Sequence, residues 1–266
     1  MKALGECRLA IVGVGLLGGV LVDRLLTCGE CVHEQIIACE SNPERRAEIA
    51  EWAGVTATDD NLRAAEADVI ILAVPPGQVI PVLKTLAVRL KPEHLVVSTA
   101  AAVPLAAMEQ AAGEGVPVMR TLPNSPALVG QGVTPVCYGR AVTPEARALA
   151  ARLLACWGEG VEVPEAQMNL CVGLTAAAPT TIFPVIAALA QAGVDGGLEP
   201  DVALRLAAGV VRGSGALVLE TGRSPAALMA LTPLQPLREL EAQALFVEAV
   251  KKAAAGADGL QARLGF

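Results

Sequence analysis

A glycine-rich turn between a strand pattern and a helix pattern constrains the fold more than any other feature of this sequence. The strand pattern of residues 7–12 leads into Gly13-Val14-Gly15-Leu16-Leu17-Gly18, and an amphipathic helical pattern follows. Gly13 permits a tight turn, Gly15 lets a pyrophosphate approach the backbone, and Gly18 lets the helix pack closely on the strand. The phosphates would lie at the helix N-terminus, where free N–H groups and the helix dipole favour anions. The turn therefore predicts a dinucleotide-binding β-α-β unit.

An acidic residue, Glu40, ends the next strand pattern, about twenty positions beyond the last glycine of the turn. A carboxylate there accepts hydrogen bonds from the ribose 2′-hydroxyl of NAD and repels the 2′-phosphate of NADP. Arg45 and Arg46 follow closely and could hold that phosphate. We interpret them instead as the solvated first turn of a helix. We therefore expect NADH to be preferred, with NADPH as a possible cofactor.

Short apolar runs alternate with helical patterns through residues 1–163. Helix starts are expected at Pro43 and at Thr143. This alternation predicts an α/β fold, a doubly wound parallel sheet of the Rossmann type with right-handed crossovers. Strand patterns then vanish, and Ala-rich helical segments occupy residues 164–266. We expect a dinucleotide-binding domain at 1–163 and an all-helical second domain at 164–266.

Ligands of doubly wound sheets bind at the carboxyl ends of the strands, so residues at those ends are candidate cofactor contacts. Two such turns are visible beyond the glycine turn. One follows the strongly apolar run Val69-Ile70-Ile71-Leu72, and the other ends the next strand pattern. The first turn of the helix and the residue after Glu40 are further candidates. The additional residues expected to contact the cofactor are therefore Leu16, Leu17, Ser41, Ala73, Val74, Pro75 and Ser98.

Composition and charge exclude several other classes of protein. The formal net charge is −7, and no basic stripe that could neutralise phosphates is visible, so we expect no nucleic-acid partner. The first residues show no secretory cleavage pattern. Seven cysteines, mostly in apolar segments, are typical of free thiols in a reducing compartment. We expect a cytoplasmic protein.

Two alternative interpretations concern a metal and a membrane. Cys28, Cys31, His33 and Cys39 are close enough in sequence to suggest a zinc site, but Cys39 falls inside a strand pattern, and we expect no metal. Residues 166–194 carry no charge and are long enough to cross a bilayer. The prolines, polar residues and many alanines in that stretch favour the centre of a helical domain or dimer, and we expect no membrane partner.

One segment resembles a known family more specifically than the glycine turn does. Residues 120–134 resemble the R-x-M-P-N-T-P-x-x-V-G-x-G motif of pyrroline-5-carboxylate reductases, and Leu72-Ala73-Val74 with Pro76 resembles the family's L-A-V-K-P. Residues 188–203 weakly resemble its helical-domain signature. The resemblance implies NAD(P)H-dependent reduction of a cyclic imine acid to proline. It also implies a helical domain interleaved with that of a partner subunit, in a homodimer or a higher homo-oligomer.

Several polar residues are candidates for the reaction site. Asn124 lies between prolines in a stiff loop, and its amide both donates and accepts, so we expect it to orient the nicotinamide side of the site. Arg120 is expected to fix this loop. Hydride transfer to a protonated imine needs little acid-base help, which fits the absence of an obvious catalytic residue. Thr175, Thr180 and Thr181 are candidate polar walls of the substrate site, with helix capping or packing as the alternative.

The helical region departs from the family's pattern at two places. The family's L-S-G-S-G-P-A-Y is replaced by the residues from Leu174 to Thr181, and its substrate loop S-P-G-G-T-T is replaced by Thr232-Pro233-Leu234-Gln235-Pro236-Leu237. Whether the altered loop still binds a carboxylate is left open. Two alternatives therefore remain at this point: a reductase of another imine or 2-oxo substrate, and a dinucleotide-binding protein without turnover.

The glycine turn and the residues after Glu40 also resemble prephenate dehydrogenases. Those enzymes need a catalytic histidine late in the sheet domain. The two histidines are His33 and His94, and His94 precedes a strand pattern, which is the wrong end of a parallel sheet. The sequence therefore argues against that family.

Overall fold

The computed structural model describes residues 2–234 and 236–266. The strands are β1 Leu9–Val12, β2 Ile36–Cys39, β3 Thr56–Thr58, β4 Val69–Leu72, β5 Leu95–Ser98, β6 Val118–Thr121, β7 Gly132–Tyr138 and β8 Gly158–Glu162. The helices between them are α1 Leu16–Thr27, α2 Pro43–Ala53, α3 Pro76–Leu86, α4 Leu105–Ala112 and α5 Pro144–Ala155. The later helices are α6 Met168–Cys171, α7 Pro179–Asp195, α8 Pro200–Thr221, α9 Pro225–Met229 and α10 Glu239–Arg263.

The strands form one sheet in the order β3-β2-β1-β4-β5-β6-β7-β8. Six of its seven neighbouring pairs are parallel, and the order reverses between β1 and β4. In register, Val12 at the end of β1 lies beside Cys39 of β2 and Leu72 of β4. The carboxyl ends of these three strands therefore meet at the switch point where doubly wound sheets bind ligands. The predicted Rossmann-type fold is confirmed.

Both faces of the central strands are buried. In β1, Leu9 and Ile11 belong to one hydrophobic cluster, and Ala10 and Val12 belong to another. Since successive side chains of a strand point to opposite faces, the two clusters lie on the two sides of the sheet. Continuous apolar runs are typical of parallel strands that are covered by helices on both faces.

Strand β7 is antiparallel to β6, which differs from the all-parallel expectation. The connection from Leu122 to Gln131 contains a short 3₁₀ turn, Ser125–Val129, instead of a crossover helix. A parallel neighbour needs a crossover of a dozen or more residues, so this short connection returns the chain antiparallel. The edge strand β3 has only three residues and no apolar run that predicts it.

The predicted helix starts at Pro43 and Thr143 are borne out by capping bonds. The Asn42 side chain accepts hydrogen bonds from the N–H groups of Glu44 and Arg45 at the start of α2. Thr143 precedes α5, and its hydroxyl accepts from the Ala146 N–H. Both side chains satisfy backbone donors that have no partner inside the helix.

The chain divides into two compact units. The first contains the chain up to Ala177 and the final segment Lys251–Phe266, and the second is Ala178–Val250. The predicted division at residues 163 and 164 coincides with the end of the strands, because β8 ends at Glu162. As a division into functional domains it stays a prediction.

The second unit consists of helices and exposes much apolar surface. Helices α7 and α8 approach closely at Gly193, where an added Cβ would lie 3.0 Å from the Ala203 Cβ. Helix α8 buries Ala203 and Ala207, while Leu206 and Val210 are about 60% exposed. The helical stretches Glu165–Asp195 and Pro200–Thr221 are long and apolar enough to cross a membrane by length and composition, which is weak evidence for a span.

Two of the cysteines considered for zinc, Cys39 and Cys28, lie in different surroundings. Cys39 is buried in β2, where its thiol approaches the Asp60 carbonyl, and burial raises its pKa to about 12. Cys28 ends α1 with its thiol directed at the Leu25 carbonyl. The His33 ring contacts the Ala53 carbonyl through Nδ1. Within residues 2–234 and 236–266, no group of three or more His, Cys, Asp or Glu side chains is arranged to hold a metal ion.

Candidate cofactor site

The glycine turn joins β1 to α1 at the switch point of the sheet. Gly13 has φ +87°, a conformation that side chains rarely adopt, and a Cβ there would lie 2.9 Å from the Ala73 carbonyl oxygen. A Cβ on Gly18 would lie 2.0 Å from the Gly13 carbonyl oxygen. A Cβ on Gly15 would meet nothing within 4 Å. Two glycines thus allow close packing, and Gly15 faces open space where a phosphate can approach.

The N-terminus of α1 presents its first N–H groups without a capping side chain. Gly15 occupies the N-cap position and has no side chain that could cap the first turn. The N–H groups of Leu16, Leu17 and Gly18 begin the helix, where no intrahelical acceptor exists for them. These donors and the helix dipole suit a pyrophosphate, so the turn fits the dinucleotide predicted for it.

Glu40 reaches back from the end of β2 to the glycine turn. Its Oε2 accepts a hydrogen bond of 2.9 Å from the Val14 N–H, and its Oε1 accepts one of 2.9 Å from the Asn42 N–H. Ser41 is exposed beside it, with its hydroxyl 3.5 Å from Oε1. The carboxylate is therefore held in place at the switch point. Its remaining lone pairs can accept from a ribose hydroxyl, whereas a 2′-phosphate would meet a fixed negative charge.

The two arginines after Glu40 have different surroundings. The Arg46 guanidinium donates to the Glu40 carbonyl at 2.9 Å and pairs with Asp59 at 3.5 Å. Arg45 is exposed and lines a crevice of about 170 Å³ beside Val14 and Gly15. Arg46 thus holds the turn at the end of β2, and only Arg45 of the two faces this crevice.

The turns after β4 and β5 complete the strand ends. Ala73 donates its N–H to the Val12 carbonyl, and its own carbonyl lies against Gly13. Val74 is half-buried, and Pro75 is exposed at the start of α3. Ser98 is fully buried and accepts from the Ala100 N–H at 3.4 Å. Ala73, Val74 and Pro75 are thus partly accessible at this edge, whereas Ser98 supports the loop behind it.

The loop after β6 is held by its asparagine. The Asn124 Oδ1 accepts from the Val133 N–H at 3.1 Å, and its Nδ2 donates to the Thr175 carbonyl at 3.3 Å. Pro123 before it is buried, and Asn124 itself is half-buried. The amide therefore ties the loop both to β7 and to the segment that follows α6.

The three candidate threonines lie in different units of the molecule. Thr175 belongs to a π-helical turn, Val172–Ala176, and its hydroxyl donates to the Cys171 carbonyl at 2.7 Å. Thr181 in α7 donates its hydroxyl to the Ala178 carbonyl at 2.7 Å. Thr180 is exposed in the same helix. Of the three, the structure brings Thr175 to Asn124, and each of Thr175 and Thr181 uses its hydroxyl proton within its own helix.

The altered loop at residues 232–237 belongs to the helical unit. Gln235 lies outside the described residues. Leu234 and Leu237 are each about three-quarters exposed. With Met229 and Phe246, they line a cavity of about 900 Å³ in which most lining side chains are apolar.

Sequence reasoning missed Asn169, a residue in α6 that belongs to no recognised motif. Its Oδ1 accepts from Arg120 Nη2 at 2.8 Å, and its Nδ2 donates to Asp258 and to Gln261 of α10 at 2.9 Å each. Arg120 is buried, and this burial lowers the pKa of its guanidinium. The expected role of Arg120 as a structural support of the loop agrees with these contacts.

Comparisons with known proteins agree with this geometry. Residues 8–102 match the family described as NADP oxidoreductase coenzyme F420-dependent, and residues 165–260 match the pyrroline-5-carboxylate reductase dimerisation family. The chain is 34% identical to a pyrroline-5-carboxylate reductase of Escherichia coli, over 93% of this chain and 96% of that protein. The chain belongs to the pyrroline-5-carboxylate reductase family.

Solved structures of this family share the fold. A pyrroline-5-carboxylate reductase from Coxiella burnetii has a TM-score of 0.82 at 26% identity and covers 96% of this chain and 98% of its own. A pyrroline carboxylate reductase from Plasmodium falciparum, solved with NADP bound, has a TM-score of 0.85 at 19% identity, covering 97% and 100%. The sequence-based assignment to the pyrroline-5-carboxylate reductase family is confirmed.

Proposed function

We propose that this protein is a pyrroline-5-carboxylate reductase, which transfers a hydride from a nicotinamide dinucleotide to the C=N bond of a cyclic imine acid and forms proline. The observation that carries the proposal is the identity to the Escherichia coli reductase over nearly the whole chain. The glycine turn and the Asn124 loop have the geometry that a dinucleotide site requires.

The bound nicotinamide supplies the hydride. The residues of the chain would bind and orient the dinucleotide: the first turn of α1 would bind the pyrophosphate, and the Asn124 amide would orient the nicotinamide end. Gly13, Gly15, Leu16, Leu17, Gly18, Ala73, Val74 and Pro75 line the cofactor site, with Ser98 behind them. A protonated imine already carries the positive charge that hydride transfer neutralises, so a strong general acid is not required.

We infer that NADH is preferred over NADPH. The support is Glu40, whose two oxygens are held by the N–H groups of Val14 and Asn42, with Ser41 beside them. A 2′-phosphate at this position would approach a fixed carboxylate, whereas a ribose diol can donate to it. Arg45 lines the crevice at the glycine turn, and its positive charge could partly offset the repulsion of NADPH.

We propose that residues 164–266 form the substrate and dimerisation domain and that the protein works as a homodimer or a higher homo-oligomer. The match of residues 165–260 to the dimerisation family supports this. The exposed face of α8 supports it too, since Leu206, Val210 and Leu217 flank Gly209 and Gly213 in a shallow apolar groove. Apolar surface of this kind on a helix that is otherwise poorly buried is stabilised when another copy covers it.

We infer further that the protein is cytoplasmic and that it has neither a membrane nor a nucleic acid as a partner. The acidic charge and the free cysteines support this inference. The two apolar helical stretches are explained by an interface between helices. We propose Thr175, which lies beside Asn124, as a polar wall of the substrate site. Thr180 and Thr181 stay candidates for this role from the sequence.

The function is tested by incubating the purified protein with pyrroline-5-carboxylate and either NADH or NADPH. We expect the nicotinamide to be oxidised and proline to form in equal amount, with a higher kcat/KM for NADH. Binding of NADH without proline formation would contradict the proposal. A higher kcat/KM for NADPH would contradict only the preference assigned to Glu40.

A further inference from the structure

Two chain segments of the sheet unit are joined at both of their ends. The first runs from Arg120 to Asn124, and the second runs from Asn169 to Thr175. Arg120 Nη2 donates to the Asn169 Oδ1 at 2.8 Å, and the Asn124 Nδ2 donates to the Thr175 carbonyl at 3.3 Å. We call these two hydrogen bonds the two-point clamp. Because Asn124 lies at one of its ends, the orientation of the Asn124 amide depends on the clamp.

The first end of the clamp is buried and charged. Arg120 is only 2% exposed, and its Nη1 lies 3.9 Å from Glu165 Oε1, which also accepts from the Leu105 N–H. The Arg120 Nε makes no hydrogen bond within the part of the chain that the structure describes. A buried guanidinium with few partners is costly to leave unpaired, so its bond to Asn169 contributes more than a surface contact would.

Asn169 is itself held by the last helix of the chain. Its Nδ2 donates to Asp258 Oδ1 and to Gln261 Oε1, both at 2.9 Å. With its Oδ1 on Arg120, every part of the amide is used and its orientation is determined by its partners. The chain of contacts therefore runs from β6 through α6 to α10.

At the second end of the clamp, a proline and a π-helical turn make the Thr175 carbonyl available as an acceptor. In an α-helix, the Thr175 carbonyl would accept from the residue four positions on, but that residue is Pro179, which has no N–H. The chain forms a π-helical turn at Val172–Ala176 instead, with the Ala177 N–H donating to the Val172 carbonyl at 2.8 Å. The proline thus leaves the Thr175 carbonyl available to the Asn124 amide.

We propose that Asn169 is a positioning residue, which orients Asn124 at the nicotinamide end of the cofactor site through the two-point clamp. The inference rests on the proposed function, in which Asn124 contacts the nicotinamide. Asn169 acts at the nicotinamide end only, because the glycine turn and Glu40, which hold the other parts of the dinucleotide, make their contacts independently of it. Loss of the clamp should therefore loosen the nicotinamide and leave most of the binding affinity in place.

An exchange of two side chains tests this proposal. Asn169→Asp keeps an acceptor for Arg120 but sets a carboxylate against Asp258. The repulsion opens the contact with α10, so the clamp loses the anchorage that holds α6 in place. The double variant Asn169→Asp with Asp258→Asn restores it with reversed polarity, since the new amide donates to the new carboxylate while Arg120 keeps its acceptor. The matched control is Gln191→Glu, which sets a carboxylate against Asp195, the partner of Gln191 in α7.

The main readout is the change in nicotinamide fluorescence when NADH binds, which reports how firmly the ring is held. Asn169→Asp should lose at least half of this change, while its Kd for NADH stays within about threefold of the wild type. With pyrroline-5-carboxylate, its kcat should fall about tenfold or more, because small misplacements of reacting groups lower the rate steeply. The double variant should recover both properties, and Gln191→Glu should keep both.

Three results would overturn the proposal: a wild-type fluorescence change in Asn169→Asp, a double variant no better than the single one, or a wild-type protein whose binding leaves nicotinamide fluorescence unchanged. A wild type that binds NADH with a fluorescence change but forms no proline would refute the proposed function alone. In that case, the comparison of the variants by fluorescence still decides whether Asn169 orients the ring.

Discussion

The sheet unit and the helical unit bury their apolar residues to very different degrees. Strands β1, β2, β4, β5 and β6 are buried at every position, with one hydrophobic cluster on each face of the sheet. Helix α8, by contrast, buries only two of its 22 residues, Ala203 and Ala207. The sheet unit thus contains its own core, whereas the helical unit presents apolar surface that a second copy can cover.

This difference separates what each unit needs in order to work. The glycine turn depends on contacts within the sheet unit, where missing Cβ atoms allow the backbone of β1 to approach α1 and the turn after β4. The helical unit includes most of the match to the dimerisation family, so we expect it to depend on association. Mutations in the sheet unit should therefore impair cofactor binding, whereas mutations on the exposed face of the helical unit should impair assembly.

The largest effect is expected from Gly18→Ala. The added Cβ would lie 2.0 Å from the Gly13 carbonyl oxygen, so the glycine turn must change shape. We expect NADH binding to weaken by about 100-fold, which corresponds to about 3 kcal/mol, as measured by fluorescence titration. Gly256→Ala in α10 is the matched control, because a Cβ there meets nothing within 4 Å and alanine is favoured inside a helix. If Gly18→Ala binds NADH like the wild type, the glycine turn does not hold the cofactor.

A large effect on assembly alone is expected from Leu206→Asp in the exposed groove of α8. Burying an unpaired carboxylate in an interface costs several kcal/mol, so the dissociation constant of the oligomer should rise about 100-fold or more. Sedimentation measures this constant, and Val88→Asp, at an even more exposed apolar residue of the sheet unit, is the control. An unchanged oligomer would show that this face of α8 is not the interface.

A moderate effect is expected from Glu40→Gln. The amide can still accept from the Val14 N–H, but the charge that opposes a 2′-phosphate is gone. Repulsion of about 1 kcal/mol is removed, so the kcat/KM ratio of NADPH to NADH should rise about five- to tenfold. Glu44→Gln in the exposed first turn of α2 is the control. A ratio that does not change would mean that Glu40 does not set the preference.

The smallest effect concerns His94, a buried histidine of the sheet unit just before β5. Burial lowers its pKa, and its Nδ1 accepts from the Lys91 N–H at 3.0 Å, which requires the neutral ring. The unfolded chain binds the proton first as the pH falls below about 6.5, so stability is present above that pH and is lost as the pH falls through the folded pKa. Thermal unfolding should show this shallow loss, and His94→Asn should flatten it. Equal pH profiles for the two proteins would contradict the assignment.

The sequence predicted those parts of the fold that depend on local patterns. Apolar runs identified the central strands, and Pro43 and Thr143 marked two helix starts. The reversal of β7 escaped prediction because it depends on the absence of a crossover helix, and the short edge strand β3 has no apolar pattern. The predicted position of His94 was correct: this residue precedes β5, at the edge of the sheet opposite the carboxyl ends of the parallel strands.

The site was predictable where a motif carries its own chemistry and unpredictable where it depends on distant contacts. The glycine turn and Glu40 follow from spacing along the chain, and the structure brings them into contact through Val14. Asn169 carried no signal, because its partners Arg120 and Asp258 are distant in sequence and only the fold brings them together. Pro179 was a usable hint, since it leaves a helical carbonyl without a donor.

The central claim, hydride transfer to the imine, is tested most directly with NADH that carries deuterium at C4 on the transferred side. After incubation with pyrroline-5-carboxylate and the purified protein, the proline is analysed by mass spectrometry. We predict proline with a single deuterium at C5, because C5 is the carbon of the former C=N bond and accepts the hydride. Oxidation of NADH without labelled proline, or no proline at all, would contradict the proposed reductase.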